Sequence, residues 1–559
     1  MSAQSNPLRA FAGIAALVLS VALGAGRSEA APTTCLQAAI QDIAPAGTII
    51  LSATPQTNPV NYCDITGYVT TEDPGPNQVN FEIGLPANWN GRFLMIGNGG
   101  FAGSLNYPSV FLSFIDPSPL QTEVSAGFAT IITDTGHQGI GANPFLDGTW
   151  ALNDPAAQLD WLVRGAHVAA ISGKFITRQF YNRRLRSYFM GCSDGGREGL
   201  IEAEKYPADF DGIVAGDPVL GNAFLGFNWN AKHLLATPDS YLTTDKLDLV
   251  SAEVMKSCDA ADGVTDGLIQ DPRKCHFDPA KLQCHHGDST ACLTPGQVAT
   301  LKSIYAGAHT ATGRQIYPGF MSSDPSGDPS LVVEDGWDLW ITGFVPPDSP
   351  GTSEPWADPD LAPWQFTFQD QFLKYTVFSD PTYDSLAFNF NGNDVRRTES
   401  AIDRDGAAAT EPDLSLFREA GGKLILYHGW SDPALSPLAT IQYYESVLAS
   451  KSNEEGASTQ QFARLFMAPG MRHCIGSGGP GPNFFDPLTA VINWVEQRTA
   501  PDQIVAAHFQ DNDPTSGIVT RTMPLCPYPE VATFQGGDAT DASNWTCKYP
   551  ASPDGEALQ

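Results

Sequence analysis

A glycine-flanked serine stands between an apolar run and a helical pattern at residues 186–207, which read RSYFMGCSDGGREGLIEAEKYP. The turn Gly191-Cys192-Ser193-Asp194-Gly195 matches the pattern G-x-S-x-G, in which small residues let a strand pass tightly into a helix with the serine exposed at the bend. An ordinary glycine-rich turn is the alternative, but the apolar run before the serine and the helical pattern after it favour a nucleophile elbow. The stretch therefore predicts a strand of a parallel sheet followed by a packed helix, with Ser193 as the candidate nucleophile.

Alternating strand and helix patterns surround this turn. The runs FEIGLP, RFLMIGNGG and GFATIITDTG indicate strands, and residues 152–180 have helical spacing of apolar residues. The alternation stops near Pro218 and resumes at GGKLILYHGWSDP, while residues 219–405 are rich in Asp, Pro, Gly and Trp. We therefore predict one α/β domain formed by residues 31–218 and 406–559, with a large insertion between the two parts.

The charge of the chain limits its partners. It has 62 acidic and 31 basic residues, which give a formal net charge of −31. Such a surface repels the phosphate backbone, so we expect no nucleic-acid partner. It favours neutral or cationic partners over polyanionic ones.

The N-terminal residues MSAQSNPLRAFAGIAALVLSVALGAGRSEAA have the pattern of a signal peptide. Arg9 supplies the positive region, residues 11–25 are apolar, and Ser28-Glu29-Ala30 offers a cleavage site, so residues 1–30 are predicted to be removed. The alternative is a membrane anchor, which needs about 20 apolar residues, more than this run supplies. We expect a secreted or periplasmic protein that no membrane holds after cleavage.

The ten cysteines all follow the predicted cleavage site. An even number of cysteines in an exported chain indicates disulfides, although the sequence alone does not fix their connectivity. The simplest prediction joins neighbours in the chain: Cys35 with Cys63, Cys258 with Cys275, Cys284 with Cys292, and Cys526 with Cys547. Two cysteines remain, Cys192 directly before the candidate nucleophile and Cys474 near the C-terminal part of the α/β domain.

A serine nucleophile needs a general base and an acid that orients the base. In α/β-hydrolases these residues follow the serine in the order acid, then histidine. Asp432 lies in a turn after the strand pattern LILYHGW, and His473 follows the strand pattern RLFMAP. We predict Asp432 as the orienting acid and His473 as the base, and we interpret His428 as a packing or pocket residue.

The oxyanion that forms in such a reaction needs two backbone N–H donors. One is expected from Asp194, the residue after the nucleophile, and the other from a glycine-rich loop after an early strand. The loop Gly97-Asn98-Gly99-Gly100 fits this description, with Gly100 as the candidate. A simple hairpin turn is the alternative for this loop.

Three stretches, CSDGGREG, YHGWSDPALSP and APGMRHCIGSGGPGPNFFDP, resemble the tannase and feruloyl esterase family of α/β-hydrolases. Further similar stretches are TDTGHQG, YPADFDGIVAGDP and CDAADGVTDGLIQDPRKCHFDP, so the likeness spans nearly the whole chain after residue 30. The resemblance implies an α/β-hydrolase fold in which residues 219–405 form a lid domain that shapes substrate choice. It also implies a disulfide between Cys192 and Cys474, together with the four local pairs.

One position departs from the usual pattern of the family. An acid, Asp194, follows the nucleophile where threonine is frequent, and this is similar to the branch that includes mono(2-hydroxyethyl) terephthalate hydrolase. A carboxylate directed into the oxyanion hole weakens it, so we expect the side chain of Asp194 to point away. The backbone N–H of Asp194 remains available as a donor.

The segment DAADGVTDGL, residues 259–268, concentrates carboxylates in a glycine-containing turn. Carboxylate and carbonyl oxygens suit calcium, although the spacing is not that of an EF-hand and a solvated acidic turn is equally compatible with the residues alone. The resemblance favours a structural Ca2+ in the lid domain. Its predicted ligands are the side chains of Asp259, Asp262 and Asp266 and the carbonyls of Val264 and Leu268.

Aromatic residues in the inserted segment suit a flat acyl group, although packing within the lid is the simpler explanation for most of them. They are Trp337, Trp340, Trp356, Trp364, Phe366 and Phe368. No Lys or Arg lies between Arg314 and Lys374, which argues against a clamp for a substrate carboxylate. A clamp would then need Arg396, Arg397 or Arg404 to fold over the pocket.

The expected function is that of a secreted serine carboxylesterase, which acts through an acyl-enzyme on small aromatic esters of the hydroxycinnamoyl or galloyl type. These esters are free or attached to plant polysaccharide or polyphenol. One alternative is hydrolysis of terephthalate monoesters, and another is a serine peptidase or amidase on the same fold. A binding protein with a decayed site is disfavoured, because all three triad candidates are present.

Overall fold

The structure is a computed structural model that describes residues 34–105, 119–326, 336–450 and 459–550. The predicted signal peptide, residues 1–30, lies outside the described residues. The described strands are β1 Thr48–Gln56, β2 Tyr62–Thr71, β3 Asn77–Pro86, β4 Arg92–Ile96, β5 Ala129–Thr133, β6 Arg186–Cys192, β7 Gly212–Gly216, β8 Ala308–His309, β9 Gln315–Tyr317, β10 Lys423–Gly429, β11 Ala463–Ala468, β12 Ile504–Phe509, β13 Val519–Leu525, β14 Val531–Phe534 and β15 Trp545–Lys548.

Nine of these strands form one sheet in the order β1-β2-β3-β5-β4-β6-β7-β10-β11. The pairs β1–β2, β2–β3 and β3–β5 are antiparallel, whereas the six strands from β5 to β11 are parallel to one another. Parallel neighbours place their carboxyl ends at the same edge of the sheet. Loops that follow β4, β6, β10 and β11 therefore meet there, and these loops carry the candidate residues.

Helices cover both faces of the parallel sheet. The described α-helices are α1 Gln37–Ile43, α2 Pro119–Ser125, α3 Pro155–Leu159, α4 Gly165–Tyr181, α5 Asp194–Lys205, α6 Ala223–Leu234, α7 Thr244–Cys258, α8 Pro295–Ala306, α9 Trp364–Gln371, α10 Asn393–Ile402, α11 Ser415–Glu419, α12 Pro437–Ala449 and α13 Pro487–Gln497. This confirms the predicted fold class, an α/β-hydrolase fold with a large inserted lid.

Successive residues of a buried strand point to opposite faces, which explains the continuous apolar runs in the sequence. Phe189 of β6 belongs to the core cluster that contains Leu200 of α5. Its neighbour Tyr188 belongs to a second cluster on the other face, which contains Val491 and Trp494 of α13. The sheet therefore has a buried core on each side.

The predicted helix over residues 152–180 is interrupted. Asp154 caps α3 by accepting the Ala157 N–H, and a π-helical turn at Asp160–Arg164 separates α3 from α4. At Gly165 a Cβ atom would lie 2.8 Å from the Cα of Thr135, so the chain approaches the sheet closely here. The periodicity predicted a helix but not this change of pitch.

We use the name lid segment for residues 219–405. Its described part contributes helices α6 to α10 and the short hairpin of β8 and β9, and no strand of the nine-stranded sheet. The limits at residues 219 and 405 stay a prediction. No helix among the described residues has both the length and the apolar character that a bilayer crossing requires.

Five disulfides join the ten cysteines, with no free cysteine left. Their pairing is the predicted one: Cys35–Cys63, Cys192–Cys474, Cys258–Cys275, Cys284–Cys292 and Cys526–Cys547. Four of these close loops of at most 28 residues in separation, whereas Cys192 and Cys474 are 282 positions apart. That long-range bond joins the end of β6 to the loop that follows β11, both at the carboxyl edge of the sheet.

Candidate active site

Ser193 lies at a strained bend between β6 and α5. Its backbone has φ 63° and ψ −123°, a region that residues other than glycine seldom adopt. The flanking glycines are sterically required, because a Cβ at Gly191 would lie 2.5 Å from the carbonyl oxygen of Gly195. A Cβ at Gly195 would lie 2.5 Å from the carbonyl oxygen of Asn98. The geometry is that of a nucleophile elbow.

The candidate base and acid meet beside this elbow. Nδ1 of His473 lies 2.8 Å from Oδ2 of Asp432, and both side chains are buried. A ring nitrogen of His473 also lies within 4.8 Å of the sulfur atoms of Cys192 and Cys474. The disulfide thus brings the imidazole to the residue that precedes Ser193.

The carboxylate of Asp432 is held in its ionised form. Its Oδ1 atom accepts the backbone N–H groups of Ala434 at 2.7 Å and Leu435 at 3.0 Å. Burial alone raises the pKa of Asp432, but His473 and His428 outweigh burial and hold the pKa well below its ordinary value. An ionised acid of this kind orients an imidazole and stabilises its protonated form.

The candidate oxyanion loop follows β4 and is packed against the elbow helix α5. Gly100 has φ +59°, and a Cβ there would lie 2.6 Å from the carbonyl oxygen of Phe145, so the position requires glycine. The buried Glu198 of α5 accepts the backbone N–H of Asn98 at 3.0 Å. Burial and the nearby Asp194 raise the pKa of Glu198 to about 7. This contact fixes the loop relative to the elbow.

The carboxylate of Asp194 is occupied by three donors. Nε of Arg197 lies 2.6 Å from Oδ1, while Nη2 of Arg197 and Nε1 of Trp161 lie 3.1 and 3.2 Å from Oδ2. Arg197 also donates to the carbonyl of Leu162 at 2.6 Å. These donors therefore compensate the negative charge beside the nucleophile.

Aromatic rings connect the base with the oxyanion loop. The ring of Trp340 lies edge-on to the imidazole of His473 with centroids 5.1 Å apart, and it contacts Trp364 at 5.0 Å. Phe368 lies 5.2 Å from Phe101, next to Gly100. By contrast, Trp337 packs against Tyr305 and Phe320, and Trp356 packs against Phe366, so these rings belong to the core of the lid segment.

The lid segment also contacts the loop after β10 that carries Asp432, here called the acid loop. Gln365 of α9 donates through Nε2 to the carbonyls of Pro433 and Ala434, both at 3.0 Å. Asn230 of α6 donates to Oε1 of Gln365 at 2.9 Å, so the amide is fixed from both sides. The only sequence signal for this contact is a glutamine among aromatic residues in a helix, and sequence reasoning missed it.

A second set of contacts joins the lid segment to the loop after β11 that carries His473, here called the base loop. Arg472, directly before His473, lies 3.0 Å from Oδ2 of Asp324 through Nη2. Ser436, after the acid, donates its hydroxyl to the carbonyl of Gly319 at 2.6 Å. Residues of the lid segment thus fix the residue before the candidate base and a residue shortly after the candidate acid.

The acidic loop predicted to bind calcium has the donor chemistry for it. Asp259 Oδ1 accepts the N–H groups of Asp266 and Gly267 at 3.1 Å, which closes the loop. Burial raises the pKa of Asp262 to about 6, and Asp266 and Asp259 add to the rise. Oδ1 of Asp266 is buried without a hydrogen-bond partner, while its Oδ2 pairs with Arg521 at 2.7 Å. Arg521 thus compensates part of this charge, and among the described residues the three carboxylates do not form a group whose ligand atoms all lie within 4.8 Å of one another. Their oxygen atoms are of the type that calcium prefers, and the calcium site stays a prediction.

Comparisons with known proteins agree with the fold and the site. A family model described as tannase and feruloyl esterase matches residues 63–548. An uncharacterized esterase of Xanthomonas campestris is 35% identical, over 97% of this chain and 94% of the relative. The mono(2-hydroxyethyl) terephthalate hydrolase of Piscinibacter sakaiensis is also 35% identical, over 93% of this chain and 89% of the relative.

The fold is similar to that of a solved esterase. The crystal structure of feruloyl esterase B from Aspergillus oryzae matches with a TM-score of 0.74 and 26% identity, over 91% of this chain and 98% of that one. The family model, the relatives and the solved structure each match most of this chain, and most of each relative is covered. The chain belongs to the tannase and feruloyl esterase family and is a carboxylic ester hydrolase.

Proposed function

We propose that this chain is an exported serine carboxylesterase that hydrolyses small esters of aromatic acids, of the hydroxycinnamoyl or galloyl type. The observation that carries the proposal is the contact between the Trp340 ring and the imidazole of His473, 5.1 Å apart. An aromatic wall beside the base favours a flat acyl group that stacks or packs edge-on next to the reacting carbonyl.

The charges near the site favour a neutral acyl group. Each arginine considered as a clamp for a second carboxylate has another partner: Arg396 donates to Asn393, Arg397 to the carbonyl of Val377, and Arg404 to Gln158. Arg397 also lies over the ring of Phe378 at 4.6 Å. A terephthalate monoester carries a carboxylate that needs such a clamp, so phenolic esters are the better fit.

In the proposed reaction, His473 takes the proton from the hydroxyl of Ser193 as the serine oxygen attacks the ester carbonyl. Asp432 stabilises the imidazolium, and the backbone N–H groups of Gly100 and Asp194 donate hydrogen bonds to the oxyanion. The intermediate expels the alcohol, which receives the proton from His473, and leaves an acyl-enzyme. Water then attacks the acyl-enzyme through the same steps, with His473 as the base, and releases the aromatic acid.

Export and calcium belong to the same proposal. Five disulfides are typical of a protein that works in an oxidising compartment, which supports a secreted or periplasmic location. The carboxylates of Asp259, Asp262 and Asp266, with the carbonyls of Val264 and Leu268, would hold Ca2+ as a structural brace of the lid segment. The ester substrate is free or attached to plant polysaccharide or polyphenol.

A substrate panel tests the proposal. We expect kcat/KM for methyl ferulate or methyl gallate to exceed that for mono(2-hydroxyethyl) terephthalate at least about tenfold. This difference corresponds to about 1.4 kcal/mol of transition-state binding. Higher kcat/KM for the terephthalate monoester would replace the proposed substrate class, and hydrolysis of peptide substrates without ester hydrolysis would reject it.

A further inference from the structure

Asp432 has two imidazole neighbours rather than one. Its Oδ2 atom lies 2.8 Å from Nδ1 of His473 and 3.1 Å from Nε2 of His428. The other oxygen, Oδ1, is taken by the N–H groups of Ala434 and Leu435. The base and a second histidine therefore share one oxygen of the acid.

The surroundings of His428 define where its proton lies. Nε2 faces acceptors, because Oδ2 of Asp432 is 3.1 Å away, the carbonyl of Leu435 is 3.4 Å away and Oδ1 of Asp217 is 3.7 Å away. Nδ1 lies 2.7 Å from the hydroxyl of Thr440, which is able to donate or to accept. Nε2 therefore carries a hydrogen whether the ring is neutral or protonated.

A second buried carboxyl group lies behind this histidine. Asp217 follows β7 and is fully buried. Its Oδ1 accepts the N–H of Gly429 at 2.9 Å, before the acid loop, and its Oδ2 accepts the N–H of Cys474 at 3.2 Å, directly after the base. Asp217 thus connects the backbone of the acid loop with that of the base loop, and His428 lies between the two acids.

The buried carboxyl groups around His428 favour its role as a hydrogen-bond donor. Burial lowers the pKa of His428, but Asp217 and Asp432 raise it above its ordinary value. Burial raises the pKa of Asp217 to about 7. The titratable side chains around this group are Asp217, Asp432, His473, Tyr427 and Tyr317. Arg472 is directed to Asp324 instead.

We propose that His428 is a positioning residue for the triad: its Nε2–H donates to Oδ2 of Asp432, fixes the carboxylate and withdraws negative charge from the oxygen that faces His473. This inference rests on the proposed serine mechanism. A carboxylate that shares its oxygen with a second donor stabilises the imidazolium of His473 less. His428 would therefore extend hydrolysis to lower pH.

The test is the pH profile of kcat/KM with methyl ferulate. In His428→Leu the N–H group that donates to Asp432 is lost. We therefore expect the low-pH side of the profile, here called the acid limb, to move to higher pH by about 0.5 to 1 unit. In His428→Gln the side-chain amide reaches the position of Nε2 and donates without titrating, so the limb should stay within about 0.2 unit of its original position. His233→Gln removes a half-buried lid histidine and serves as the control without a shift.

A purely structural role would lower kcat in His428→Leu without moving the limb, and that result would overturn the inference. An equal shift in the Leu and Gln variants would overturn it as well. If the Leu variant does not fold, low-field proton NMR decides: the unmodified protein should show a hydrogen-bonded imidazole N–H signal that His428→Gln lacks, beside those of His473 and of His167, whose Nδ1 lies 2.7 Å from Asp209. An identical set of low-field signals in the two proteins contradicts the inference, whereas absence of Ser193-dependent hydrolysis rejects the proposed function itself.

Discussion

Cys192 and Cys474 are joined by a disulfide, so the residue before the candidate nucleophile is covalently attached to the residue after the candidate base. The bond connects loops that are 282 positions apart in the chain. Cys474 has φ 69°, so the base loop adopts a left-handed conformation at the attachment point. The thiol next to Ser193 is therefore consumed in fixing its position and is not a second nucleophile.

Substitution of both cysteines by alanine should impair activity and stability together. Without the bond, His473 and Ser193 are held by non-covalent contacts alone, and a displacement of about 1 Å costs roughly 100-fold in rate. We expect kcat/KM to fall roughly 10- to 100-fold and the Tm to fall as well. The matched control replaces Cys284 and Cys292, which close a short loop in the lid segment, and should retain kcat/KM. Full activity without Cys192 and Cys474 would show that the bond is dispensable.

Trp340 should determine the preference for aromatic acyl groups. In Trp340→Ala the ring beside His473 is lost, and an aromatic pair contributes about 0.5 to 1.5 kcal/mol beyond its buried area. We expect kcat/KM for methyl ferulate to fall roughly tenfold relative to kcat/KM for p-nitrophenyl acetate. Trp337→Phe, in the core of the lid segment, should leave that ratio unchanged. Equal losses on both substrates in Trp340→Ala would assign Trp340 to packing alone.

The fold explains which parts of the site were predictable. The order of Ser193, Asp432 and His473 follows from the order in which the parallel strands are connected, so strand patterns and turn residues select them as candidates. The structure brings His473 Nδ1 within 2.8 Å of Asp432 Oδ2. The family resemblance supplied the Cys192–Cys474 pairing, because spacing alone left these two cysteines open. Asp194 was predicted to turn away from the oxyanion, and the donors that hold it, Arg197 and Trp161, were not.

The contacts behind the triad were not predictable. The sequence indicates only a packing or pocket residue at His428, because nothing local in the sequence places Asp217 beside it. Gln365 of the lid segment contacts the acid loop only after an irregular insertion has folded. The periodicity of residues 152–180 likewise could not indicate the π turn at Asp160–Arg164, which depends on close approach to the sheet. Such features depend on tertiary packing rather than on local pattern.

Stability should depend on pH through Glu198. Because burial raises its pKa from 4.5 to about 7, its contribution is fully present below about pH 4.5 and is lost as pH rises through 7. The shift corresponds to roughly 3 kcal/mol at most. Glu198→Gln does not titrate, so the Tm of the variant minus that of the unmodified protein should increase from pH 5 to pH 8. The exposed Glu419→Gln is the control and should give a difference that does not change with pH.

Calcium removal should destabilise the lid segment. We expect a chelator to lower the Tm and added Ca2+ to restore it, because an ion that binds only the folded state stabilises that state. Asp262→Asn should lose the response to calcium. Asp271→Asn, an acid of the same loop that pairs with Arg273 and is not a predicted ligand, should keep it. A Tm that does not depend on calcium in the unmodified protein would reject the calcium site.

The hydrolysis of methyl ferulate by Ser193→Ala tests the account most directly. The variant keeps the oxyanion loop, the disulfide and the aromatic rings, and loses only the hydroxyl that forms the acyl-enzyme. We predict a fall in kcat/KM of at least about 10⁴-fold with an unchanged Tm. Retention of kcat/KM within about tenfold in a folded Ser193→Ala protein would contradict the serine mechanism.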